Sequence, residues 1–351
     1  MNSKESSTDE NFMKRAIQLA KLGGSSVFPN PLVGAVIVYN NQIIGEGYHQ
    51  LFGEAHAEIN AINSVENKEL IPLSTIYVTL EPCAHFGKTP PCANRLVLEK
   101  FKRVVVACKD PFSKVAGKGF ETIQNAGIDL TIGVCENEAI DLNKRFFTFH
   151  QKKRPFVILK WAESIDGFID FERVDDSSHV NWISSPSTQV LTHKWRTQEA
   201  AILVGWKTIQ NDNPSLTSRA FTGNNPLRII LDPNNRLEEN FTVFTDNEPV
   251  YILTKEIELT KGNNHWIKLN DYSVKSILNF LYSLNILSVI IEGGSTTHQL
   301  FINDNLWDEA RIIIGNKQFK KGTKAAQLNN NFLVNELEIS TDIIKEYVCL
   351  N

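Results

Sequence analysis

The chain has few cysteines, no long apolar run and no excess of basic residues, and each shortage excludes a class of protein. Two of its five cysteines belong to a motif described below, and the other three are scattered with no framework spacing, which favours a reducing compartment, the cytoplasm. No apolar run could span a bilayer, and the polar first ten residues, Met1 to Glu10, lack a signal-peptide core and are expected to form a frayed tail. The net charge is −4, whereas a nucleic-acid-binding protein more often carries a basic field. These absences favour a small-molecule substrate over nucleic acid or membrane.

The first half contains one histidine and two cysteines at spacings that predict a metal site. His56 and Glu58 are two residues apart, and Cys83 and Cys92 follow, each directly after a proline. One imidazole and two thiolates leave a fourth tetrahedral position open for water, as in catalytic zinc sites. Glu58 is close enough to handle the protons of that water without ligating the metal. The pattern corresponds to the H-x-E…P-C-x-x-C signature of zinc deaminases, with Glu58 as the catalytic acid–base.

The spacing between the two cysteines departs from that signature, because eight residues separate Cys83 from Cys92. Glycine and prolines in the insert predict a rigid loop, and Pro91 suits the start of a helix. A thiol at a helix N-terminus is favoured as thiolate. His85 and Lys88 lie on this loop, where a cation could bind a phosphate; the alternative is a solvated lysine.

Three other interpretations of these residues remain open. A buried histidine with two inert cysteines leaves Glu58 without a purpose. A closed structural zinc site, in a protein without enzymatic activity, would need a fourth protein ligand, and the motif offers none. A deaminase acting on nucleic acid or free nucleosides explains the ligands, but not the insert or the second half of the chain.

The alternation of predicted strands and helices indicates two α/β domains. Residues 1–150 read as a three-layer α/β/α unit, including a helix from Glu54 to Val65 that carries His56 and Glu58 in its first turn. The charged run 151–155 reads as a solvated linker. Residues 156–351 form a second α/β pattern with its own core, and the part beyond about residue 315 is uninformative. In this second domain, Gly293-Gly294 follows a strand and precedes a helix, which is either a phosphate cradle or a tight turn.

Taken together, the motifs resemble those of the bifunctional riboflavin-biosynthesis family RibD. The residues that carry the resemblance are the loop from Pro82 to Cys92, Ser164-x-Asp166-Gly167, Trp182, Val204-Gly205, Asn211-Asp212-Asn213-Pro214, Arg228-x-x-Leu231-Asp232 and Glu292-Gly293-Gly294. The resemblance implies a cytidine-deaminase-like first domain and a dihydrofolate-reductase-like second domain. It further implies zinc-dependent deamination of 2,5-diamino-6-ribosylamino-4(3H)-pyrimidinone 5′-phosphate, followed by NADPH-dependent reduction of the ribosyl chain to ribityl. We expect a homo-oligomer.

Carried over position by position, the resemblance assigns roles to individual residues. It implies NADPH contacts for Trp182, Thr208, Asp212, Gly294, Ser295, Thr296, Thr297, His298, Gln299 and Leu300. It implies substrate contacts for Asn30 and His49 in the first domain, and for Arg196, Leu216, Arg219 and Glu292 in the second. Two positions depart from the family, because Val180 and Pro233 stand where a serine or threonine is usual; each departure removes a hydroxyl that could contact substrate or cofactor.

Overall fold

The chain folds into two compact units, Met1–Lys152 and Lys153–Asn351. The structure is a computed structural model that describes residues 3–84, 90–112, 116–173 and 180–350. None of the helices in these ranges is long and apolar enough to cross a lipid bilayer.

The first unit is built on a five-stranded sheet with the order β2-β1-β3-β4-β5. Its strands are β1 (Gly34–Tyr39), β2 (Gln42–Tyr48), β3 (Thr75–Val78), β4 (Arg103–Val106) and β5 (Asp129–Ile132). β1 runs antiparallel to both neighbours, whereas β3, β4 and β5 run parallel. The carboxyl ends of β3 and β4 therefore meet at one edge, which is where a βα unit presents functional residues.

Six α-helices accompany this sheet within the described residues. They are α1 (Ser3–Ala20), α2 (Ala57–Ser64), α3 (Cys92–Leu98), α4 (Lys118–Asn125), α5 (Glu136–Leu142) and α6 (Lys144–Lys152), with short 3-10 helices at Lys21–Val27 and Lys68–Leu73. Helix α2 packs closely on β2, because a Cβ at Gly47 would lie 2.2 Å from the backbone nitrogen of Ala61. This close approach fixes the start of α2, and with it His56 and Glu58.

The expectation of a frayed N-terminal tail is wrong, because α1 begins at Ser3. Asp9 is buried on this helix and accepts two hydrogen bonds from the Arg103 guanidinium, at 3.0 and 2.8 Å. The Tyr77 hydroxyl donates to the same carboxylate at 2.7 Å. These contacts join the helix to β3 and β4, which are distant in sequence and so invisible to a local pattern.

The second unit contains a ten-stranded sheet with the order β11-β12-β10-β9-β8-β13-β6-β14-β17-β16, and a two-stranded sheet of β7 and β15. The strands are β6 (Phe156–Glu163), β7 (Phe168–Phe171), β8 (Ala201–Gly205), β9 (Leu227–Leu231), β10 (Val250–Thr254), β11 (Leu259–Lys261), β12 (Asn264–Lys268), β13 (Ser288–Ile291), β14 (Glu309–Ile314), β15 (Gly322–Lys324), β16 (Asn331–Ile339) and β17 (Asp342–Cys349). The final hairpin, β16 and β17, extends the sheet, so the segment that carried no sequence signal is structured.

Two of the five described α-helices of the second unit begin at a side-chain cap. The five helices are α7 (Pro186–Thr197), α8 (Trp206–Asp212), α9 (Thr242–Thr245), α10 (Val274–Ser283) and α11 (Ser295–Asn303). The Ser185 and Ser273 hydroxyls each accept a backbone N–H of the first turn, in α7 and α10 respectively. The strands β9, β8, β13 and β6 run parallel and adjacent. Their carboxyl ends therefore share one edge of the sheet.

The charged segment between the two halves is not simply solvated. Arg154 is buried, and its guanidinium makes two hydrogen bonds to the Asp308 carboxylate, at 2.6 and 2.8 Å. Asp308 also accepts the backbone N–H of Val157 at 2.8 Å, at the start of β6. Arg154 is thus an anchor of the second unit, and α6 already extends to Lys152.

Candidate active sites

Three secondary-structure ends bring the predicted metal ligands together in the first unit. His56 is the extended N-cap residue of α2, Cys83 follows β3, and Cys92 is the first residue of α3. One ligand atom from each lies within 4.8 Å of the other two. The helix containing His56 and Glu58 was predicted to begin at Glu54, but it begins at Ala57. The extended conformation of His56 directs its ring away from the helix and towards the two sulfurs.

The two thiols cannot titrate independently, because they are hydrogen-bonded to each other and to His56. The Nδ1 atom of His56 lies 3.3 Å from Cys92 Sγ and 3.6 Å from Cys83 Sγ. The bond with Cys92 lowers the pKa of Cys83 to about 4, and the pKa of Cys92 is correspondingly raised. The Cys92 backbone N–H also donates to Cys83 Sγ at 3.3 Å. Two sulfurs and an imidazole nitrogen that converge in this way fit a zinc ion, which would take both sulfurs as thiolates.

Glu58 lies beside this cluster with its side chain buried at 3% exposure. Burial, and after it the negative charge of Cys83, raises the pKa of Glu58 to about 6. A buried carboxylate next to three metal ligands, and not itself grouped with them, is the arrangement expected of a proton carrier.

Asn30 and His49 lie at the same site as His56. The His49 ring is 5.3 Å from the His56 ring, and its Nδ1 lies 3.1 Å from the carbonyl oxygen of Ala55. A carbonyl only accepts, so Nδ1 carries the proton and Nε2 accepts from Asn30 Nδ2 at 3.0 Å. Burial lowers the pKa of His49, which keeps this ring neutral. The structure therefore brings both residues next to the candidate metal ligands.

A buried carboxylate, which the sequence analysis did not identify, holds the segment around Cys83. Glu81 accepts backbone N–H groups from Asp110, Gly117 and Gly119, at 3.3, 3.0 and 3.0 Å. A Cβ at Gly119 would lie 2.1 Å from the carbonyl oxygen of Pro82, so only glycine fits there. This fixes the position of the segment that carries Cys83. The predicted substrate contacts His85 and Lys88 lie outside the described residues.

The second unit contains a cavity of about 560 Å³ at the carboxyl edge of its sheet, here called the Glu292 cavity. Ten of the predicted residues line it: Trp182, Arg196, Thr208, Asp212, Leu216, Arg219, Glu292, Gly294, Ser295 and Thr296. A Cβ at Gly294 would meet no atom within 4 Å, so the turn before α11 is open to a ligand. An open turn leading into a helix fits the phosphates of a dinucleotide.

The remaining four predicted cofactor residues, Thr297 to Leu300, do not belong to the described lining of this cavity. Thr297 and His298 are buried beneath the turn. The His298 Nε2 atom lies 3.0 Å from the Ile291 carbonyl oxygen and 3.2 Å from that of Lys160. Burial lowers the pKa of His298 to about 4, so the ring is neutral and supports the turn from below.

At one end of the cavity, Glu292 is held between two cations. The Arg196 guanidinium donates to both oxygens of Glu292, at 2.8 and 3.0 Å, and Lys160 Nζ lies 3.3 Å from Oε2. Burial opposes ionisation of Glu292, but Arg196 and Lys160 outweigh it and lower its pKa to about 2. Burial also lowers the pKa of Lys160, and Glu292 only partly offsets this. Arg196 therefore belongs to an ion pair inside the cavity, with only 13% of its side chain exposed, and is not an ordinary surface residue.

The sequence analysis missed Lys160 and His193, which both line the Glu292 cavity. Lys160 interrupts the apolar strand Phe156–Glu163, and a lysine in such a strand was the one available signal. His193 lies one turn before Arg196 on α7 and is 6% exposed. Its Nδ1 atom has no hydrogen-bond partner among the described residues. Burial lowers the pKa of His193 as well.

The segment from Ser215 to Arg219 borders the same end of the cavity, because Arg196 also donates to the carbonyl oxygen of Thr217 at 2.9 Å. Arg219 is exposed and donates to Ser215 Oγ at 3.2 Å, while Ser215 and Thr217 share a hydroxyl contact at 3.0 Å. Leu216 is buried with a positive φ of 57°, a strained conformation for a branched side chain. No carboxylate within the described ranges forms an ion pair with Arg219. Its guanidinium is therefore available to an anion.

Two family models match the two units separately. Residues 6–108 match the cytidine and deoxycytidylate deaminase zinc-binding region, and residues 155–323 match the RibD C-terminal domain. Among curated relatives, the riboflavin biosynthesis protein RibD of Aquifex aeolicus is 37% identical over 94% of this chain and 93% of its own length. That of Bacillus amyloliquefaciens is 39% identical over 88% of this chain and 85% of its own.

Solved structures agree over nearly the whole chain. A diaminohydroxyphosphoribosylaminopyrimidine deaminase/5-amino-6-(5-phosphoribosylamino)uracil reductase from Thermotoga maritima superposes with a TM-score of 0.88 at 38% identity, over 98% of this chain and 99% of that one. RibD from Acinetobacter baumannii gives a TM-score of 0.87 at 33% identity, with the same coverage. The predicted fold class of two α/β units is confirmed, and so is the pair of cofactors, zinc and NADPH. The chain therefore belongs to the RibD family of riboflavin biosynthesis, as a bifunctional enzyme that joins a zinc-dependent deaminase to an NADPH-dependent reductase.

Proposed function

We propose that the first unit deaminates a diaminohydroxyphosphoribosylaminopyrimidine, and that the second unit reduces the resulting 5-amino-6-(5-phosphoribosylamino)uracil at its ribosyl carbon. Both compounds are those acted on by the Thermotoga maritima relative. The observation that carries the deaminase assignment is the convergence of His56, Cys83 and Cys92 beside the buried Glu58. Small-molecule chemistry of this kind agrees with the net charge of −4.

In the first site, His56, Cys83 and Cys92 would hold zinc. A zinc ion in such a site supplies Lewis acidity that makes hydroxide available near neutral pH. Glu58 accepts the proton that the attacking water loses as its oxygen bonds to the ring carbon. Glu58 then passes that proton to the ring nitrogen. It takes the second proton from the hydroxyl now attached to the ring carbon and delivers it to the amino group, which leaves as ammonia as the carbon–nitrogen bond breaks and the carbonyl forms. Asn30 and the neutral His49, fixed by their mutual hydrogen bond, would orient the pyrimidine.

NADPH bound in the second site would supply the hydride that reduces C1′ of the sugar. The reduction of a ring-opened imine also needs one proton at nitrogen. Lys160 is the best placed donor, because it lines the cavity and burial makes it a stronger acid than a free lysine. Glu292 cannot donate, since two cations hold it as a carboxylate. Its role is to keep Lys160 in place and to accept hydrogen bonds from sugar hydroxyls.

The phosphate of the ribosyl chain would bind at the Ser215–Arg219 segment. Arg219 supplies the guanidinium, and the hydroxyls of Ser215 and Thr217 lie beside it. His193, with its unpartnered Nδ1 on the same cavity, adds a neutral ring that can contact the sugar phosphate.

The test follows two products from one incubation. Purified enzyme is given the aminopyrimidine ribosyl phosphate, and both ammonia release and NADPH oxidation are recorded. A chelator should abolish ammonia release, zinc should restore it, and NADPH oxidation on the already deaminated uracil should persist throughout. Ammonia release that is insensitive to thorough zinc removal would contradict the first assignment, and lack of NADPH oxidation on the uracil would contradict the second.

We propose that the protein works in a reducing cytoplasm, because its five cysteines, all within the described residues, form no disulfide. We propose a homo-oligomer that acts without nucleic acid or membrane. Sedimentation of the pure protein tests the oligomeric state, and a gel shift at physiological salt together with vesicle flotation tests the independence from nucleic acid and membrane.

A further inference from the structure

A second cavity, of about 620 Å³, lies on the carboxyl edge of the second unit's sheet and is here called the Trp206 cavity. Trp206 opens α8 directly after β8, and Arg236 lies five residues beyond the end of β9. Asn213 lines both this cavity and the Glu292 cavity. The two cavities are therefore neighbours along the edge where parallel strands end, the usual place for a nucleotide in an open α/β sheet.

Two cations lie against the ring of Trp206. The Arg236 guanidinium carbon is 4.5 Å from the ring centroid, and Lys207 Nζ is 5.7 Å from it. Across the described ranges, neither cation forms an ion pair with a carboxylate. The carboxylate that lines the cavity is that of Glu238, and it accepts a hydrogen bond from the Asn240 amide instead of pairing with either cation. In the Glu292 cavity, by contrast, Lys160 and Arg196 both form ion pairs with Glu292.

The turn that presents Arg236 is rigidly held. Asp232 is fully buried, and its Oδ2 accepts the backbone N–H groups of Arg236 and Leu237, at 2.7 and 2.9 Å. The Arg236 side chain remains exposed, and the flat contact with the indole fixes the plane of the guanidinium. Its N–H groups are thus pre-oriented towards whatever enters the cavity.

We propose that the Trp206 cavity binds the adenosine 2′-phosphate of NADPH. Arg236, which lines the cavity, is the main contact, and Lys207, which lines the neighbouring Glu292 cavity beside the Trp206 ring, is the second. A phosphate monoester carries up to two negative charges near neutral pH, and a guanidinium binds it through paired hydrogen bonds. The assignment rests on the proposed reductase function. It makes Arg236 the residue by which this chain distinguishes NADPH from NADH.

The strand order places Lys160 and the Trp206 cavity at a distance that one bound NADPH molecule can span. Lys160 is on β6, the Gly293-Gly294 turn follows β13, and Trp206 and Arg236 follow β8 and β9. From β6 to β9 there are three interstrand spacings, roughly 14 Å in all. An extended dinucleotide can span this distance with its nicotinamide at Lys160, its pyrophosphate at the glycine turn and its adenosine at Trp206.

A binding measurement tests the site without any turnover. Calorimetry on the full-length protein compares adenosine 2′,5′-bisphosphate with adenosine 5′-monophosphate. The wild type should prefer the bisphosphate by about tenfold or more, as expected for a charge-assisted hydrogen-bond pair, and Arg236→Gln should lose most of that preference. Lys255→Gln is the matched control, because Lys255 lies 5.6 Å over the Tyr272 ring and belongs to neither cavity. If Arg236→Gln keeps the full preference for the bisphosphate, the proposal is overturned.

Steady-state kinetics add a second, independent reading. In Arg236→Gln the KM for NADPH should rise about ten- to hundredfold, while the KM for NADH, the kcat and ammonia release stay unchanged. An equal rise for both cofactors would show that Arg236 does not recognise the 2′-phosphate. If the wild type oxidises neither cofactor, the reductase function itself fails, and the two adenosine phosphates still decide the binding site.

Discussion

Backbone geometry positions the three candidate zinc ligands of the first unit, whereas ion pairs position the side chains of the Glu292 cavity. In the first site an extended N-cap, a strand end and a helix start each deliver one donor, and Glu81 fixes the strand end through three backbone N–H groups. In the second site a largely buried carboxylate between two largely buried cations keeps the polar groups in position. The metal site cannot lose any of its three ligands and still bind zinc in the same way. The Glu292 cavity can lose one of its two cations, and Glu292 then still forms an ion pair with the other.

The largest expected effect is at Glu58. Glu58→Gln should lower ammonia release by about 10²–10⁴-fold, because proton transfer is lost while shape is kept. Zinc content, measured by metal analysis, should stay at the wild-type level, since Glu58 is not among the grouped ligands. Glu54→Gln, an exposed neighbour, serves as the control. Wild-type turnover in Glu58→Gln would remove the proton carrier from the proposed mechanism.

The next effect concerns the contribution of the ion pair between Arg154 and Asp308 to the stability of the second unit. Asp308→Ala leaves the buried Arg154 guanidinium without its partner and should cost about 3–5 kcal/mol of unfolding free energy. All six tryptophans lie in the second unit, so their fluorescence during urea unfolding reports on that unit alone. Asp304→Ala, at an exposed carboxylate nearby, should change the midpoint little. If the unfolding midpoint of Asp308→Ala shifts as little as that of Asp304→Ala, the ion pair between Arg154 and Asp308 does not stabilise the second unit.

A smaller effect is expected at Lys160, where catalysis and charge balance can be separated. Lys160→Met should reduce NADPH oxidation by about 10²-fold without loss of folding, because Glu292 keeps its pair with Arg196. A general acid must be protonated, and burial lowers the pKa of Lys160. The wild-type rate should therefore fall with rising pH at a value below the ordinary lysine pKa of about 10.4.

The pH profile provides the decisive comparison for Lys160. The alkaline fall should be present in the wild type and in Lys255→Met, and absent in Lys160→Met. If the fall persists in Lys160→Met, another group supplies the proton.

The smallest expected effect concerns the role of Asn30 in the first site. Asn30→Ala removes the hydrogen bond to His49 Nε2 and should raise the KM for the pyrimidine by about two- to tenfold. Zinc content should not change. Asn63→Ala, at an exposed position on α2, provides the control. A loss of zinc in Asn30→Ala would assign Asn30 to support of the metal ligands instead of to the substrate.

The sequence predicted the first site well because its residues form one motif. His56, Glu58 and the two cysteines are close in the chain, and their spacing reflects the same helix and strand ends that the structure contains. What the motif did not reveal is the backbone conformation of His56, or Glu81, whose partners lie some thirty residues further on. The loop residues His85 and Lys88 remain predictions.

The second site was only partly predictable, because its parts meet through the fold and not along the chain. Glu292 and Arg196 followed from family resemblance, yet their pairing spans 96 residues. In the sequence, Lys160 is only a single polar residue within an apolar strand, and nothing local indicates its partner Glu292. The same reason explains the errors about the N-terminal tail and Arg154, because Asp9 and Asp308 are partners that a local pattern cannot show.

The contact between Gly119 and Pro82 has a consequence for variation in this enzyme. Gly119 is 36 residues beyond Cys83 in the sequence, yet a single added methyl group would press on the peptide bond just ahead of that sulfur. Metal affinity should therefore respond to substitutions at the beginning of α4 as sensitively as to those at neighbouring loop positions. Screens for weakened or strengthened zinc retention would do well to begin there.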